Sequence, residues 1–483
     1  MTPPVAPRRR LRLLVLLSLL ALVASACGAR VSEEQIEAAG GSGGFAAGSG
    51  TSSGDGPTAS GDTGTVAGGD TSGDPAAAGG TDGGAATGGA ATGDAGATAA
   101  PAGGNGGAVD VGITADTVVL GNVSTLSGPV PGLFQGAVVG AQAVVAYQNS
   151  KGGMFGRKFK LDFRDDQFDT GTNRSATTEL AAKTFAMIGS FSLYDDAAKD
   201  AVAKSGMPDV TYSLTSRRDL PNNFSIEPAK TGGAPLAPFN YFGKKFPQES
   251  KAVGTIFSDI PSSKQSAEAY KAAAQSVGWN FVYERGVQAT ETDFTADVVR
   301  MRQSGVKLVY AGALDDKTLA RLLKGMSQQG FKVPVVTTGI GYDPDIPKLA
   351  GAGSEGMYTW APYSLFGGED AGSIPEVKLF NEWVQKVKPG FVPDLYTAFA
   401  WSSGRLLFQA MEKAGAKAKR ADVVAVLKTI TNFSNDKLLA PAGPGNKQPP
   451  TCGVVSVIKG GKYERFETPP GDYRCNDGGY FQR

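Results

Sequence analysis

The chain has 483 residues, a formal net charge of +1 and no histidine. Without histidine, the Ser-His-Asp and Cys-His hydrolase mechanisms and histidine-ligated metal sites are excluded. The nearly balanced charge is too weak to favour a nucleic-acid partner, so a small solute is the better expectation.

The amino-terminal segment has the pattern of an export signal. Residues 8–12 include four arginines and precede an apolar run at residues 13–23. This run suits a signal peptide, whose apolar region needs ~7–15 residues, whereas a membrane span needs about 20. We therefore predict that residues 1–26 form a cleaved signal peptide.

Cys27 follows the sequence Val-Ala-Ser-Ala, which resembles the lipobox of bacterial lipoproteins. Lipidation there would add at least two acyl chains, and two chains anchor a protein stably where one is marginal. We predict a lipid-anchored protein on the outer face of the cytoplasmic membrane, held through Cys27. The alternative is an ordinary secretory signal followed by an unmodified cysteine.

A low-complexity segment follows the predicted anchor. Residues 40–107 consist almost entirely of Gly, Ala, Ser, Thr and Asp. Such a segment cannot bury enough apolar surface to offset its conformational entropy. We predict a disordered tether over residues 27–108, with a root-mean-square reach of about 50 Å.

Residues 109–483 are too many for one hydrophobic core of the usual size, so we expect two lobes. Apolar strands alternate with helices in the first part, which is typical of βαβ units in a parallel sheet. The predicted strands cover residues 117–123, 158–164, 186–189 and 208–212, and the predicted helices include 132–149 and 197–204.

A second βαβ series starts after residues 231–246. Its predicted strands cover residues 252–257, 280–284, 307–311 and 333–337, and its predicted helices cover 264–276, 293–303 and 317–329. Ligands of open α/β sheets bind at the carboxyl ends of the strands, and domain interfaces are favoured pocket sites. We therefore expect the ligand site in the loops that follow these strands.

The remaining sequence predicts helix over residues 375–431 and a hairpin over 454–463, which turns at Gly460-Gly461. Apart from Cys27, the chain has two cysteines, Cys452 and Cys475. An even pair in an exported protein suggests one disulfide, here bracing the hairpin. The alternative, a zinc site, lacks enough ligands, so we expect no metal.

Four short stretches together carry a family resemblance. They are Leu-Ser-Gly-Pro at 126–129, Asn-Ser-Lys-Gly-Gly-Met-Phe-Gly-Arg-Lys at 149–158, Asp165-Asp166, and Ser-Glu-Gly-Met at 354–357. In these stretches the chain resembles the leucine-isoleucine-valine-binding branch of type I periplasmic binding proteins, the solute receptors of ABC importers. The resemblance implies an α/β fold of two Rossmann-like lobes joined by a three-stranded hinge.

The resemblance also implies how the chain divides between the lobes. We expect crossings near residues 227–230, 358–362 and 438–443. The first lobe would then combine residues 109–228 with 360–440, and the second lobe residues 229–359 with 441–483.

Candidate ligand contacts in the first lobe follow from the resemblance. The loop at residues 189–194 occupies the place where such proteins hold a ligand carboxylate, which makes Ser192 and the nearby Tyr194 candidates. Ser192 at a helix start is also a candidate N-cap. The loop at 212–215 matches the second carboxylate-holding segment and adds Ser213 and Thr215, and the Leu-Ser-Gly-Pro loop adds Ser127.

The second lobe departs from the amino-acid-binding pattern. Pro-Ser-Ser at residues 261–263 and Ala-Leu at 313–314 stand where amino-acid binders have aromatic residues, and Gly-Ile-Gly-Tyr-Asp at 339–343 stands near the acid that pairs the ligand ammonium group. Ser262 and Tyr342 are the candidates here, and Asp343 is either an ammonium partner or a helix N-cap. We therefore do not expect a branched-chain amino acid as the ligand. We expect another amino acid, an amide, or an aromatic or other carboxylic acid without the ammonium group.

The resemblance implies a binding protein that closes two lobes on a small molecule and delivers it to an ABC permease and ATPase. A receptor domain of the same fold that signals to a membrane partner is the alternative. An enzyme using Asp165, Asp166 or Asp195 is disfavoured, because adjacent acids at strand ends are usually solvated or capping. We expect no cofactor.

Overall fold

The computed structural model describes residues 100–483. The predicted signal peptide, Cys27 and most of the predicted tether lie outside the described residues. No helix among the described residues is both long and apolar enough to cross a bilayer.

Residues just before position 109 form hydrogen bonds with the first lobe. Arg157, which is 3% exposed, donates hydrogen bonds to the carbonyl oxygens of Asn105 (2.6 Å) and Gly107 (2.9 Å). The Asn105 side chain in turn donates to the Phe155 carbonyl oxygen at 3.0 Å. A buried guanidinium needs acceptors, and this need ties the end of the predicted tether to the first lobe.

The first sheet contains four parallel strands in the order β2-β1-β3-β4. Both faces of β1 are largely buried, as expected for a parallel strand covered by helices on each side. Its elements are β1 (Thr117–Ser124), α1 (Gln135–Ser150), β2 (Lys158–Asp165), α2 (Thr170–Lys183), β3 (Ala186–Ile188), α3 (Lys199–Ser205) and β4 (Asp209–Val210).

The second sheet has seven strands in the order β12-β11-β10-β9-β8-β6-β7. Strands β6 to β10 run parallel, and β11 and β12 add antiparallel at one edge. Its elements are α4 (Ala237–Lys245), β6 (Val253–Ser258), α5 (Pro261–Ser276), β7 (Phe281–Val287), α6 (Thr295–Gln303), β8 (Leu308–Ala313), α7 (Asp316–Gln328), β9 (Val335–Thr337), α8 (Asp345–Ala350), β10 (Tyr358–Ala361), β11 (Val454–Lys459) and β12 (Lys462–Arg465). A short ribbon pairs β5 (Gly233–Pro235) with β13 (Tyr480–Gln482).

After β10 the chain returns to the first lobe and forms α9 (Pro375–Val387), α10 (Leu395–Ala414) and α11 (Arg420–Thr429). Helix α10 packs along α1. The two backbones approach so closely that a Cβ on Gly140 would lie 2.2 Å from the Thr397 carbonyl oxygen. Only glycine permits this contact.

The chain crosses between the lobes at three places. Residues 225–229 lead from the first lobe to the second, and Pro362 leads back. The return near Ala440 runs beside the second crossing, since the Ala440 N–H donates to the Pro362 carbonyl oxygen at 2.9 Å. The predicted α/β class with two parallel-sheet lobes is confirmed, whereas the residue limits of each lobe stay a prediction.

The structure departs from the predicted elements most clearly at three places. The strand expected at 208–212 is limited to Asp209–Val210, and the helix expected at 375–431 is three helices. Pro389 and Pro393 cannot continue α9, which explains the first of these interruptions. Helix α4 was not predicted, although Pro238 lies at its first turn and its apolar face is buried.

The predicted hairpin and disulfide are both present. Gly460 and Gly461 have φ values of 56° and 73°, the left-handed conformation that a tight hairpin turn requires. Cys452 and Cys475 are bonded. Their neighbours Gly453 and Arg474 exchange two backbone hydrogen bonds of 2.9 and 2.8 Å, so the disulfide closes a structured loop beside β11.

Replacing both Cys452 and Cys475 with serine should lower the free energy of unfolding by about 3 kcal/mol, because the disulfide restricts the unfolded chain over a separation of 23 residues. Equilibrium unfolding in urea measures the change. Reducing the native protein should reproduce it. A double variant as stable as the native chain would contradict the prediction.

Candidate ligand-binding cleft

A cleft with a cavity volume of about 210 Å³ lies between the two lobes. Loops that follow six parallel strands, β3, β4, β6, β8, β9 and β10, all contribute to its lining. This position agrees with the rule that ligands bind at the carboxyl ends of parallel strands. Both lobes therefore contact whatever occupies the cleft.

Aromatic rings form the first lobe's side of the cleft. Phe191, in the loop after β3, lies 4.6 Å from Phe134 and 4.5 Å from Tyr396 between ring centroids, and its ring stacks on Tyr212 at 5.3 Å. Tyr212 also contacts Phe399 at 5.3 Å. Aliphatic side chains extend this surface: Val130, Leu133, Leu193, Leu214 and Leu395.

The second lobe also presents mainly apolar groups. They include Ile260, Ala269, Tyr270, Ala313, Leu314, Ile340 and Trp360. Ser262, in the first turn of α5, lines the same side and is 3% exposed. Its hydroxyl has no hydrogen-bond partner among the described residues. A buried hydroxyl without a partner is unusual and is available to a ligand.

Arg218 brings a positive charge to the apolar cleft. It follows β4, and its guanidinium donates to the carbonyl oxygen of Thr215 at 3.0 Å and to that of Leu214. It forms no ion pair with a carboxylate of the described residues. Two backbone contacts therefore orient the guanidinium and leave its other N–H groups for a ligand.

Glu227, on the first crossing between the lobes, brings a carboxyl group to the same cleft. The Ser225 hydroxyl holds its backbone, accepting from the Glu227 N–H at 3.2 Å and donating to the Glu227 carbonyl oxygen at 2.9 Å. The carboxyl group itself has no hydrogen-bond or ion-pair partner in the described part of the chain. Burial raises the pKa of Glu227 from 4.5 to about 8, although the charge of Arg218 acts in the opposite direction.

The structure gives Ser192 an internal partner. Its hydroxyl donates to a carboxylate oxygen of Asp166 and accepts from the Asn173 amide at 3.1 Å and from the Tyr194 N–H at 3.1 Å. Ser192 is 3% exposed and is not in the cleft lining. Tyr194 also lies outside the lining, with its ring edge on Phe168.

The second loop predicted to hold a ligand carboxylate, residues 212–215, is also hydrogen-bonded within the protein. Asp195, which is buried, accepts from the Thr215 hydroxyl at 2.6 Å and from the Leu214 N–H at 2.8 Å. The Ser213 hydroxyl accepts from the Asn223 amide at 3.3 Å. Neither Ser213 nor Thr215 lines the cleft.

The remaining candidates divide between the cleft and the interior. The Ser127 hydroxyl donates to Asp165, and the Tyr342 hydroxyl donates to Glu369, so both are paired outside the cleft lining. Ser262 is the predicted contact that does line the cleft.

Sequence reasoning missed Arg218, Glu227, Tyr212 and Tyr270. Tyr212 belongs to the loop at residues 212–215, but the resemblance implies ligand contacts from the Ser213 and Thr215 hydroxyls of that loop, not from the tyrosine ring. Arg218 and Glu227 carry no motif, because a charged residue in a loop is usually solvated.

Three carboxylates that do not line the cleft form a separate group. The oxygens of Asp316, Asp343 and Asp345 lie within 4.8 Å of one another. Burial first, and then the neighbouring negative charges, raise the pKa of Asp316 and that of Asp343. Asp343 also accepts from the Asp345 N–H at 2.8 Å, which is a capping contact at the start of α8.

Comparison with known proteins shows which family this chain resembles. The family model described as periplasmic binding protein matches residues 117–462. The Leu/Ile/Val-binding protein homolog 2 of Brucella abortus is 25% identical over 285 residues, which cover 57% of this chain and 73% of the relative.

Two solved structures show the same fold. A branched-chain amino acid ABC transporter protein from Thermus thermophilus with bound valine has a TM-score of 0.64 at 16% identity and covers 72% of this chain and 95% of its own. A fatty acid ABC transporter substrate-binding protein from Thermomonospora curvata has a TM-score of 0.63 at 20% identity, covering 77% and 97%. These proteins bind solutes for transporters and are not enzymes. With the family model matching most of its length, the chain belongs to the periplasmic binding protein family.

Proposed function

We propose that the protein is an extracytoplasmic solute-binding lipoprotein that captures a small organic molecule between its two lobes and delivers it to an ABC importer. The observation that carries the proposal is the cleft itself, since side chains from both lobes line it. A ligand that contacts both lobes favours the closed form through its differential affinity, and a permease can recognise that form.

The anchoring part of the proposal rests on the sequence. Cys27 follows a lipobox-like segment, and the low-complexity residues after it are suited to a tether. The lipid on Cys27 would hold the protein on the outer face of the cytoplasmic membrane. Replacing Cys27 with serine should move the protein from the membrane fraction to the soluble extracytoplasmic fraction.

The names of the relatives support an organic solute as the ligand. They include proteins named for leucine, isoleucine and valine, for amino acids and for a fatty acid. All are carboxylic acids, so a carboxylate is the chemical feature that these ligands share.

The function is tested by purifying the protein from its native host and identifying small molecules released on denaturation by mass spectrometry. We expect a co-purified organic acid, and we expect deletion of the gene to reduce uptake of that compound. Unchanged uptake, with an altered transcriptional response to the compound, would favour a sensing receptor over an import receptor.

A further inference from the structure

The chemistry of the cleft narrows the ligand class. In amino-acid binders that the chain resembles, hydroxyls in the loops after the third and fourth strands hold the ligand carboxylate. Here the protein's own carboxylates occupy both loops: Asp166 accepts from Ser192, and Asp195 accepts from Thr215. A ligand carboxylate placed there would meet like charge and find the hydroxyl protons already donated.

Arg218 and Glu227 are available to bind the polar head group of a ligand. Arg218 has no carboxylate partner, and the Glu227 carboxyl group has no donor among the described residues, yet both line the cleft. Polar groups that are partly removed from water are normally paired within the protein. The N–H groups that Arg218 does not donate to the two backbone carbonyls, and the Glu227 carboxyl group, are therefore available to a ligand.

The rest of the lining suits an apolar body. The aromatic surface around Phe191 is apolar, and Ile340 and Trp360 add apolar groups from the second lobe. Asp315 also lines the cleft, but its carboxylate caps α7 by accepting from the Thr318 N–H at 2.9 Å. The apolar residues of the lining belong to both lobes, around a cavity of about 210 Å³. An apolar ligand body would therefore contact both lobes.

We propose that the cleft binds a monocarboxylic acid with an apolar body and no ammonium group, whose carboxylate pairs with Arg218 and accepts a hydrogen bond from the Glu227 carboxyl group. This inference rests on the proposed solute-binding function and names its substrate class. The apolar body lies along the aromatic surface, and the Ser262 hydroxyl adds a polar contact from the second lobe.

The titration of Glu227 should make the ligand affinity depend on pH. Its pKa of about 8 keeps the carboxyl group protonated at neutral pH, so it can donate to an anion. The groups that face it are the Arg218 guanidinium and four tyrosines whose pKa values burial raises above the ordinary 10: Tyr212, Tyr270, Tyr363 and Tyr480. Glu227 is therefore the group near the head site that titrates between pH 6 and 9.

The sign of the pH effect separates the two ligand classes. An anion on Glu227 requires the bound proton, so affinity is constant from pH 6 to 7.5 and falls by up to about tenfold per pH unit above about 8. A ligand ammonium group would require the ionised form, and its affinity would rise over the same range. A fatty acid titrates near pH ~4, as a glutamate does, and remains an anion throughout.

The test uses calorimetric titration of the full extracytoplasmic protein with myristate, methyl myristate, L-leucine and L-phenylalanine. We expect myristate to bind most tightly and methyl myristate, which lacks the anion, to bind at least about tenfold more weakly. Arg218→Gln should weaken myristate binding by about 10- to 100-fold. Glu227→Gln should retain binding at pH 7 and abolish its pH dependence.

Arg174→Gln is the matched control, because Arg174 also donates to a backbone carbonyl, at 2.9 Å from Ala197, but is exposed and outside the cleft. It should leave myristate affinity unchanged. Equal or tighter binding of either amino acid, or unchanged affinity in Arg218→Gln, would overturn the inference while leaving the solute-binding function standing. A native preparation that binds none of the probes and releases no small molecule would overturn both.

Discussion

Replacing Arg217 with methionine should lower the free energy of unfolding by about 3–5 kcal/mol. Arg217 is 2% exposed and makes a bidentate ion pair with Asp209, with distances of 2.9 Å from Nε and 2.7 Å from Nη2. Asp209 is fully buried in β4, where Thr211 and Asn223 are its remaining donors. Removing the guanidinium leaves a buried charge without a counterion.

The effect should extend to the cleft, because Arg217 is the neighbour of Arg218 and fixes the turn that carries it. We therefore expect weaker ligand binding as well as lower stability. Equilibrium unfolding in urea gives the stability change. Arg164→Met is the control, since Arg164 is 36% exposed and pairs with Asp162 and Glu179 at the surface, where an ion pair is worth about 0–1 kcal/mol. Similar losses in both variants would contradict the argument from burial.

Replacing Phe191 with alanine should cost about 3–5 kcal/mol of unfolding free energy and also remove much of the ligand affinity. Phe191 is 6% exposed and lies at the centre of the aromatic surface, with Phe134, Tyr212 and Tyr396 around it. Truncation removes these contacts and opens a cavity that the rigid neighbouring rings cannot fill.

Phe163→Ala is the matched control for this prediction. Phe163 is 41% exposed on β2 and lies outside the cleft lining, so its loss should change stability by less than about 1 kcal/mol and leave binding intact. Thermal unfolding with and without ligand separates the two effects. A Phe191→Ala protein that keeps full ligand-induced stabilisation would show that the aromatic surface does not contact the ligand.

Much of the fold was predictable from local sequence. Runs such as Val118 to Val123 are apolar along their length, as parallel strands buried on both faces require, and Gly460-Gly461 marks a hairpin turn that few other residues permit. The pairing of Cys452 with Cys475 needed only a count of cysteines in an exported chain. These features depend on neighbours in sequence or on composition.

The head-group site was not predictable in the same way. Whether a serine hydroxyl is free for a ligand depends on which groups the fold brings beside it. Asp166 lies just after β2, yet it accepts a hydrogen bond from Ser192 in the loop after β3. Within the described part of the chain, the same tertiary packing leaves Arg218 without a carboxylate partner and the Glu227 carboxyl group without a hydrogen-bond partner, and both line the cleft.

The sequence by itself determined the two-lobed α/β architecture, the disulfide and the position of the cleft at the strand ends. Hydrophobic periodicity and turn residues can be recognised in short segments of sequence, and the disulfide follows from the number of cysteines. Only the tertiary structure decided which polar groups face that cleft. Hydrogen bonds between residues far apart in sequence occupy some polar side chains and leave others available to a ligand. The available groups determine which ligand can bind.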